Sequence, residues 1–209
     1  MNIISKSVAM ILRASMLGMK KEWHITRYSM YQALARVSAQ LRIHRGDVLS
    51  ISHSKVLCDI IKFQPNNFVE LNYPEGNILS LPYPDDSFDF LCSDQVLEHI
   101  SGDPQHAIDE CLRVLRPGGI AVHTTCLINP IHKEPGDYWR FTPDGLRFLS
   151  RNYKEIIACD GWGNFEALTL IYCGLRFEKV PYAQWHPFHK IAIKNDPDWP
   201  IVTWVVAEK

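Results

Sequence analysis

Residues 77–100 have the sequence "NILSLPYPDDSFDFLCSDQVLEHI", and this stretch decides the fold. Residues 87–94, "SFDFLCSD", carry aromatic and apolar side chains, which is typical of a strand buried on both faces. A turn rich in proline and aspartate leads into it. Polar residues follow it, at the end of a strand where open α/β sheets bind their ligands. We therefore predict a central strand that ends at a binding edge.

Strands and helices alternate on both sides of this stretch. Apolar runs predict further strands, and helical spacing together with proline and glycine stop signals predicts the helices between them. Up to residue 126, strands are predicted at 47–52, 67–73 and 119–126 and helices at 54–63 and 104–115. The later ones are helices at 142–152 and 164–177 and strands at 154–162 and 199–209. This order is typical of parallel βαβ units and predicts an α/β fold.

The first 45 residues lack proline and have apolar residues at helical spacing, for example Met30, Leu34, Val37 and Leu41. We expect at least two helices there. The chain would accordingly divide into an N-terminal helical cap at 1–45 and an α/β domain at 46–209.

The composition limits the classes of function. The chain has 209 residues and a formal net charge of −1, which does not favour binding to nucleic acid. The apolar run at 7–19 is interrupted by Arg13 and is too short to span a membrane, so we expect a cytoplasmic protein without stable membrane insertion. Its six cysteines stand singly with no CxxC pair, which favours reduced thiols over disulfides or a zinc site.

A metal is not expected elsewhere either. His186 and His189 have the spacing of metal ligands, but the sequence offers no third ligand near them. A dehydrogenase is disfavoured because no GxGxxG occurs in the chain.

Several short motifs in fixed order carry a resemblance to a known family. They are "LPY" at 81–83, "DSFD" at 86–89, "LEH" at 97–99 and "RVLRPGG" at 113–119. Together they resemble the class I S-adenosylmethionine-dependent methyltransferases, in the type 11 branch that includes the ubiquinone and menaquinone methyltransferases. The resemblance implies a Rossmann-like sandwich whose mostly parallel sheet has an antiparallel C-terminal strand. It also implies S-adenosylmethionine, or S-adenosylhomocysteine after transfer, as cofactor.

The same resemblance implies where the cofactor binds. The loop after the first strand of the domain, the acidic end of the second strand, the segment before "LPY" and the end of the strand at 88–94 would surround it. In this chain those positions are Ser50, Ser52, His53, Ser54, Glu70, Asn77, Ile78, Ser93, Asp94 and Gln95.

This site departs from the family pattern at three points. The loop has no glycine, so every residue in it carries a Cβ that makes left-handed conformations costly. Asn77 stands where the family usually has aspartate, and the short segment between Glu70 and Asn77 leaves no room for the usual helix. Either the Ser52 and Ser54 hydroxyls and backbone donors replace the glycine-loop contacts, or the loop is an ordinary polar turn in a domain that no longer binds.

The segment at 123–146 would choose the substrate. Methyl transfer needs a nucleophile held in line with the methyl group and often a base to take its proton. His132 is the first candidate for that base and His99 the second, while Tyr138, Trp139 and Arg140 could form the substrate pocket. These aromatic residues could equally be core residues that hold the loop.

The function predicted is methyl transfer from S-adenosylmethionine to an oxygen or nitrogen of a small-molecule or sugar-like substrate, by a monomer or homodimer. The alternative is a catalytically silent methyltransferase-like domain with a binding or regulatory role, which has lost or weakened cofactor binding.

Overall fold

A six-stranded sheet forms the centre of the molecule. The computed structural model describes residues 3–133 and 135–209. The strands are β1 Lys21–His24, β2 Arg45–Ile51, β3 Gln64–Leu71, β4 Phe88–Asp94, β5 Leu115–Cys126, β6 Glu155–Trp162, β7 Lys179–Pro181 and β8 Val202–Glu208. The large sheet has the order β3-β2-β4-β5-β8-β6, and β1 pairs with β7 in a separate antiparallel ribbon.

The direction of the strands confirms the predicted fold class. Neighbouring strands from β3 to β5 run parallel, whereas β8 is inserted antiparallel to both β5 and β6. The last strand is thus the antiparallel member of an otherwise parallel sheet. Because parallel strands end at the same edge, β2, β3, β4 and β5 bring their carboxyl ends together.

Alternate residues of the central strands enter two hydrophobic layers, one on each side of the sheet. In β4, Phe90 and Cys92 belong to one layer and Leu91 to the other. This two-sided burial explains the continuous apolar run in the sequence.

Seven helices of the described residues cover the sheet and flank the small ribbon. They are α1 Ile3–Ser15, α2 Ile25–Ser38, α3 Lys55–Ile61, α4 Pro104–Val114, α5 Pro143–Leu149, α6 Phe165–Leu170 and α7 Pro187–Ile193. The start of α5 is capped by Thr142, whose hydroxyl accepts the N–H of Gly145 at 3.0 Å, and Pro143 is the first helical residue.

Three local predictions were incomplete. The ribbon of β1 and β7 was not expected, since its strands have only four and three residues. The predicted helix at 164–177 is α6 followed by a π-type turn at Ile171–Leu175, in which Gly174 has a φ of 88°. No helix was predicted after Trp185, where the structure has α7 with His186 accepting the N–H of Phe188 as its cap.

The N-terminal residues are closely connected with the sheet. Met30 and Leu34 of α2 are fully buried in the same hydrophobic layer as Phe90 of β4. The division into a cap at 1–45 and a domain at 46–209 stays a prediction, with α2 contributing to the common core. No helix among residues 3–133 and 135–209 is long and apolar enough to cross a bilayer.

Candidate functional site

A cavity of about 560 Å³ opens at the carboxyl edge of the sheet. It extends from the loop after β2 to the long loop after β5. Eight of the residues predicted from the sequence line it: Ser52, His53, Asn77, Ile78, Gln95, His99, His132 and Tyr138. The structure therefore brings predicted cofactor residues and predicted base residues to one cavity.

The loop after β2 has the backbone of a glycine-rich turn without a glycine. Ser52 and His53 both lie in the left-handed region, with φ of 53° and 60°. This conformation costs a residue with a Cβ about 1–2 kcal/mol. Hydrogen bonds oppose that cost, because the Ser52 N–H donates to the Leu71 carbonyl and the His53 N–H to Asn72 Oδ1, both at 2.9 Å. The end of β3 thus fixes the turn.

The two other serines of the loop point away from the cavity. Ser54 is fully buried, and its hydroxyl donates to the Ile51 carbonyl and accepts the N–H of Asp94 at 2.7 Å. Ser50 is also fully buried within β2. In this geometry Ser54 ties the loop to β4 instead of presenting its hydroxyl to a ligand.

Glu70 lies at the end of β3, beside the loop. Its Oε1 is 3.6 Å from His53 Nδ1, and its side chain is 34% exposed. It does not line the cavity, although His53 does. A ligand that extended past His53 would meet the Glu70 carboxylate.

Asn77 and Ile78 line the opposite wall. The Asn77 Oδ1 accepts the N–H of Leu79 at 2.9 Å, which fixes the side-chain amide across its own turn. Ile78 is 4% exposed and packs in the hydrophobic layer with Leu49 and Leu91. This wall is apolar with one oriented amide.

The end of β4 is held by buried polar contacts. Asp94 accepts hydrogen bonds from the hydroxyls of Tyr31 and Thr124, and its Oδ1 is 3.6 Å from Arg27 Nε. Gln95, with a φ of 59°, donates its N–H to the Thr124 carbonyl and lines the cavity. Asp94 therefore connects α2, β4 and β5 from behind the cavity wall.

Ser93 is the third polar residue at this strand end. It is fully buried, and its hydroxyl lies 2.7 Å from Nδ1 of His123. Burial lowers the pKa of His123 to about 4, so this imidazole is neutral at neutral pH.

His99 and His132 meet edge to face, with ring centroids 4.8 Å apart. The Nδ1–H of His99 donates to the Gly136 carbonyl, and the Nδ1–H of His132 donates to the Pro130 carbonyl at 3.1 Å. Since a carbonyl only accepts, Nδ1 of each ring carries a proton, and the lone pair of the neutral imidazole is then on Nε2. Burial lowers the pKa of His132 below its usual 6.5.

Asp137 organises the loop that carries His132. Its side chain is almost completely buried and accepts the His132 N–H at 2.8 Å. It also accepts hydrogen bonds from both terminal nitrogens of the Arg140 guanidinium. The Arg140 guanidinium holds the pKa of the Asp137 carboxyl well below its usual range. Arg140 is thus committed to Asp137 in this structure, and its predicted contact with a substrate stays a prediction.

Tyr138 and Trp139, the aromatic residues between Asp137 and Arg140, differ in their position relative to the cavity. Tyr138 is 58% exposed and lines the cavity. Trp139 lies outside the cavity lining, donates its indole N–H to the Ile100 carbonyl at 3.0 Å and stacks near Phe141. The backbone N–H groups of both donate to the Glu98 carbonyl, which holds this loop against the end of β4.

Sequence reasoning missed the roles of Glu98 and Asp137. Glu98 is fully buried, with Oε2 accepting the Thr125 hydroxyl at 2.8 Å, and burial raises the pKa of its carboxyl. The signal was present, since an acidic residue directly before His99 and another among loop aromatics are unusual at buried positions.

The other pair of histidines has separate local partners. His186 bonds Phe188 N and, through Nε2, lies 3.1 Å from the Ser15 hydroxyl. His189 donates from Nδ1 to the Pro181 carbonyl at 2.8 Å and packs against Tyr28. Both rings thus connect α7 to its neighbours.

The sheet order, with its antiparallel strand β8 inserted between β5 and β6, and the cavity at the carboxyl edge are those of a Rossmann-like α/β fold. Residues 32–123 match the family described as "Methyltransferase domain". A structure of a candidate sarcosine dimethylglycine methyltransferase from Galdieria sulphuraria superposes with a TM-score of 0.56 at 14% identity, over 98% of each chain. That likeness shows the fold.

Two curated relatives to which parts of the chain are similar are described as methyltransferases. A probable S-adenosylmethionine-dependent methyltransferase of Mycolicibacterium smegmatis is 42% identical over 87 residues, which is 39% of this chain and 33% of the relative. The demethylmenaquinone methyltransferase of Lysinibacillus sphaericus is 24% identical over 148 residues, or 66% of this chain and 62% of the relative. The matches thus span less than two thirds of either relative.

Proposed function

We propose that this protein transfers a methyl group from S-adenosylmethionine to an oxygen or nitrogen of a small, polar or sugar-like molecule. The observation that supports this best is the loop after β2. Ser52 and His53 keep the left-handed backbone that glycine usually provides, next to a cavity that continues to His132. A loop freed from cofactor binding would have no need to keep two strained residues.

The cofactor would lie between the two walls of the cavity. Backbone groups at Ser52 and His53 would face its methionine part, and Asn77 with Ile78 would border its adenine. Glu70, just past His53, would hold the ribose hydroxyls. Bound S-adenosylmethionine supplies an electrophilic methyl group, and the rest of the chemistry is positioning of the acceptor.

His132 is suited to take the proton of the acceptor. Its Nδ1–H is fixed by the Pro130 carbonyl, so the free lone pair of Nε2 is oriented. Because burial lowers its pKa, the ring is unprotonated at neutral pH and ready to act as a base. The ring of His99 lies beside it, with centroids 4.8 Å apart, and Tyr138 would cover the acceptor from the solvent side.

Calorimetric titration with S-adenosylhomocysteine tests cofactor binding. We expect a one-to-one complex that Asn77→Ala weakens about tenfold, since the amide is the oriented polar group of its wall. Asn66→Ala, on the exposed part of β3, is the matched control and should bind like the parent protein. Absence of heat at millimolar ligand would support the silent domain instead.

Methyl transfer is then tested on a panel of hydroxyl- and amine-bearing metabolites, followed by mass spectrometry of the product. A protein that binds S-adenosylhomocysteine but methylates none of them would leave the cofactor site in place and contradict the proposed substrate class.

A further inference from the structure

An oxygen of the buried Glu98 faces a ring nitrogen of His132, which lines the cavity. Glu98 Oε1 lies 4.0 Å from Nε2 of His132. The Oε1 atom is buried and has no hydrogen-bond partner among the described residues, and in the neutral ring of His132, whose Nδ1–H donates to Pro130, Nε2 carries a lone pair. Two facing lone pairs repel each other unless a donor or a cation lies between them. Their separation is too long for a direct hydrogen bond.

A third ligand atom completes the group. The sulfur of Cys126, at the end of β5, lies with Glu98 Oε1 and a ring nitrogen of His132 within 4.8 Å of one another. Cys126 is fully buried. A tetrahedral zinc ion sets its ligand atoms roughly 3.3–3.8 Å apart, as follows from bond lengths of about 2.0–2.3 Å. None of the three separations would have to shorten by more than about 1.5 Å to reach these values.

The surroundings orient these ligands as second partners of metal ligands commonly do. The Thr125 hydroxyl donates to Glu98 Oε2, which turns Oε1 towards His132. The Pro130 carbonyl fixes the tautomer of His132, and Asp137 Oδ2 lies 3.4 Å from the same Nδ1. In each side chain, therefore, one atom is held by a hydrogen bond (Glu98 Oε2 and His132 Nδ1), and the other (Glu98 Oε1 and His132 Nε2) is available to a metal ion.

Charge balance limits which ion fits. Arg27 pairs with Asp94 and Arg140 with Asp137, whereas Arg176, which interacts electrostatically with Glu98 and Cys126, has no ion pair among the described residues. Arg176 makes this neighbourhood positive. A divalent cation bound here therefore needs both the Glu98 carboxylate and the Cys126 thiolate to neutralise its charge. A thiolate and an imidazole select zinc over magnesium or calcium, which prefer oxygen ligands.

We propose that Glu98, Cys126 and His132 form a binding site for one zinc ion. His132 lines the cavity while Glu98 and Cys126 lie behind it, so the fourth coordination position faces the cavity. A water molecule, or an oxygen, nitrogen or sulfur of the methyl acceptor, would occupy it. The sequence predicted no metal, because these three residues are 28 and 6 positions apart and form no recognisable spacing.

The site goes beyond the proposed methyl transfer and uses the lone pair assigned above to the base. In the zinc-bound protein the ion, rather than a free imidazole, would lower the pKa of the bound acceptor. Metal binding can be measured without any methyl acceptor, so it stands or falls separately from the proposed function.

The test is a zinc titration of chelator-stripped, reduced protein in competition with a chromophoric chelator. We expect one equivalent to bind, and Glu98→Gln, Cys126→Ser and His132→Gln each to weaken binding at least tenfold. Cys173→Ser, a partly exposed thiol, and His106→Gln, an exposed imidazole, are the matched controls and should bind like the parent. Circular dichroism without metal checks that each variant is folded.

Cobalt substitution gives an independent signature. The parent protein should show thiolate-to-cobalt charge-transfer absorption that Cys126→Ser lacks and Cys173→Ser retains. Substoichiometric zinc, equal affinity in parent and Cys126→Ser, or a cobalt spectrum without the thiolate band would each overturn the site.

Discussion

The Ser54 hydroxyl accepts the backbone N–H of Asp94 at 2.7 Å, forty residues away along the chain. This one buried contact joins the loop after β2 to the end of β4, the two segments between which the cofactor would lie. The same hydroxyl donates back to the Ile51 carbonyl. The shape of the cavity therefore depends on a serine that does not line it.

Replacing Ser54 with alanine should lower both stability and cofactor affinity. The Asp94 N–H would lose its side-chain acceptor in a buried environment, at a cost of about 1–3 kcal/mol in the free energy of unfolding. Urea unfolding measures this. Ser87→Ala removes a serine hydrogen bond to the Pro84 carbonyl at an exposed turn and should change stability by less than about 0.5 kcal/mol. Equal losses in both variants would contradict the bridging role.

Glycine in the loop should stabilise the protein. Ser52→Gly removes the strain of a Cβ at a φ of 53°, which outweighs the extra freedom of glycine in the unfolded chain, for a gain of about 0.5–1 kcal/mol. Lys55→Gly, three residues later in α3, should instead lose about 0.5–1 kcal/mol. Thermal and urea unfolding compare the two. A loss in Ser52→Gly would mean that its side chain makes a stabilising contact.

The base role predicts the behaviour of His132→Gln. With stripped, metal-free enzyme and a methyl acceptor from the panel, kcat should fall about 10²–10⁴-fold, because proton removal loses its catalyst. Affinity for S-adenosylhomocysteine should be unchanged. The exposed His106→Gln variant serves as control, and a fully active His132→Gln enzyme would exclude this residue.

Asp137→Asn should alter the pH dependence of the reaction. Asp137 raises the pKa of His132 through its negative charge, although burial has the larger, opposite effect. Removing the charge should move the acidic limb of the kcat/KM profile to lower pH, with a lower plateau because Arg140 loses its partner. The exposed Asp144→Asn should leave the profile in place. A lower plateau without a shift would indicate a purely structural role.

Acid should destabilise the protein through His123. Its pKa is about 4 in the folded state and 6.5 in the unfolded chain. The contribution is therefore fully present above pH 6.5 and is lost as the pH falls through about 4, because only the unfolded state takes up the proton between these values. The loss amounts to about 3 kcal/mol.

The variant His123→Gln isolates this effect. Its stability should fall less steeply between pH 6.5 and 4 than that of the parent, as urea unfolding at several pH values would show. Burial also lowers the pKa of His24 to about 4, but this residue contributes equally to the pH dependence of the parent and of the variant. Identical slopes would assign the acid sensitivity to other groups.

Much of the fold was predictable because burial on both faces leaves a direct record in the sequence. The runs around Phe90 and Val122 contain few residues that could face water, and Thr142-Pro143 is a local helix start. The ribbon of β1 and β7 was not predictable, since its short strands are stabilised by pairing across more than 150 residues. Propensity within a few residues cannot carry such information.

The candidate site was predictable only in part. Motif order predicted which residues would form the cofactor walls, and eight of the predicted residues line one cavity. The direction of a side chain, however, depends on its tertiary partners. Ser54 belongs to the expected loop but turns inward to Asp94, and Arg140 is in the expected loop but engages Asp137. Glu98 becomes a candidate metal ligand only because the fold places Cys126 and His132 beside it.

The outermost strand of the sheet, β3, has a consequence for self-association. Gln64 donates its N–H to the His44 carbonyl on the β2 side, so the next residue, Pro65, presents its nitrogen to the open edge. Proline has no N–H, and the neighbouring Asn66 and Asn67 are exposed polar residues. A strand from a second molecule that paired with this edge would therefore lack one of the hydrogen-bond donors it needs. The edge that lies nearest the Glu70 end of the cavity is thereby protected from aggregation while staying open to solvent.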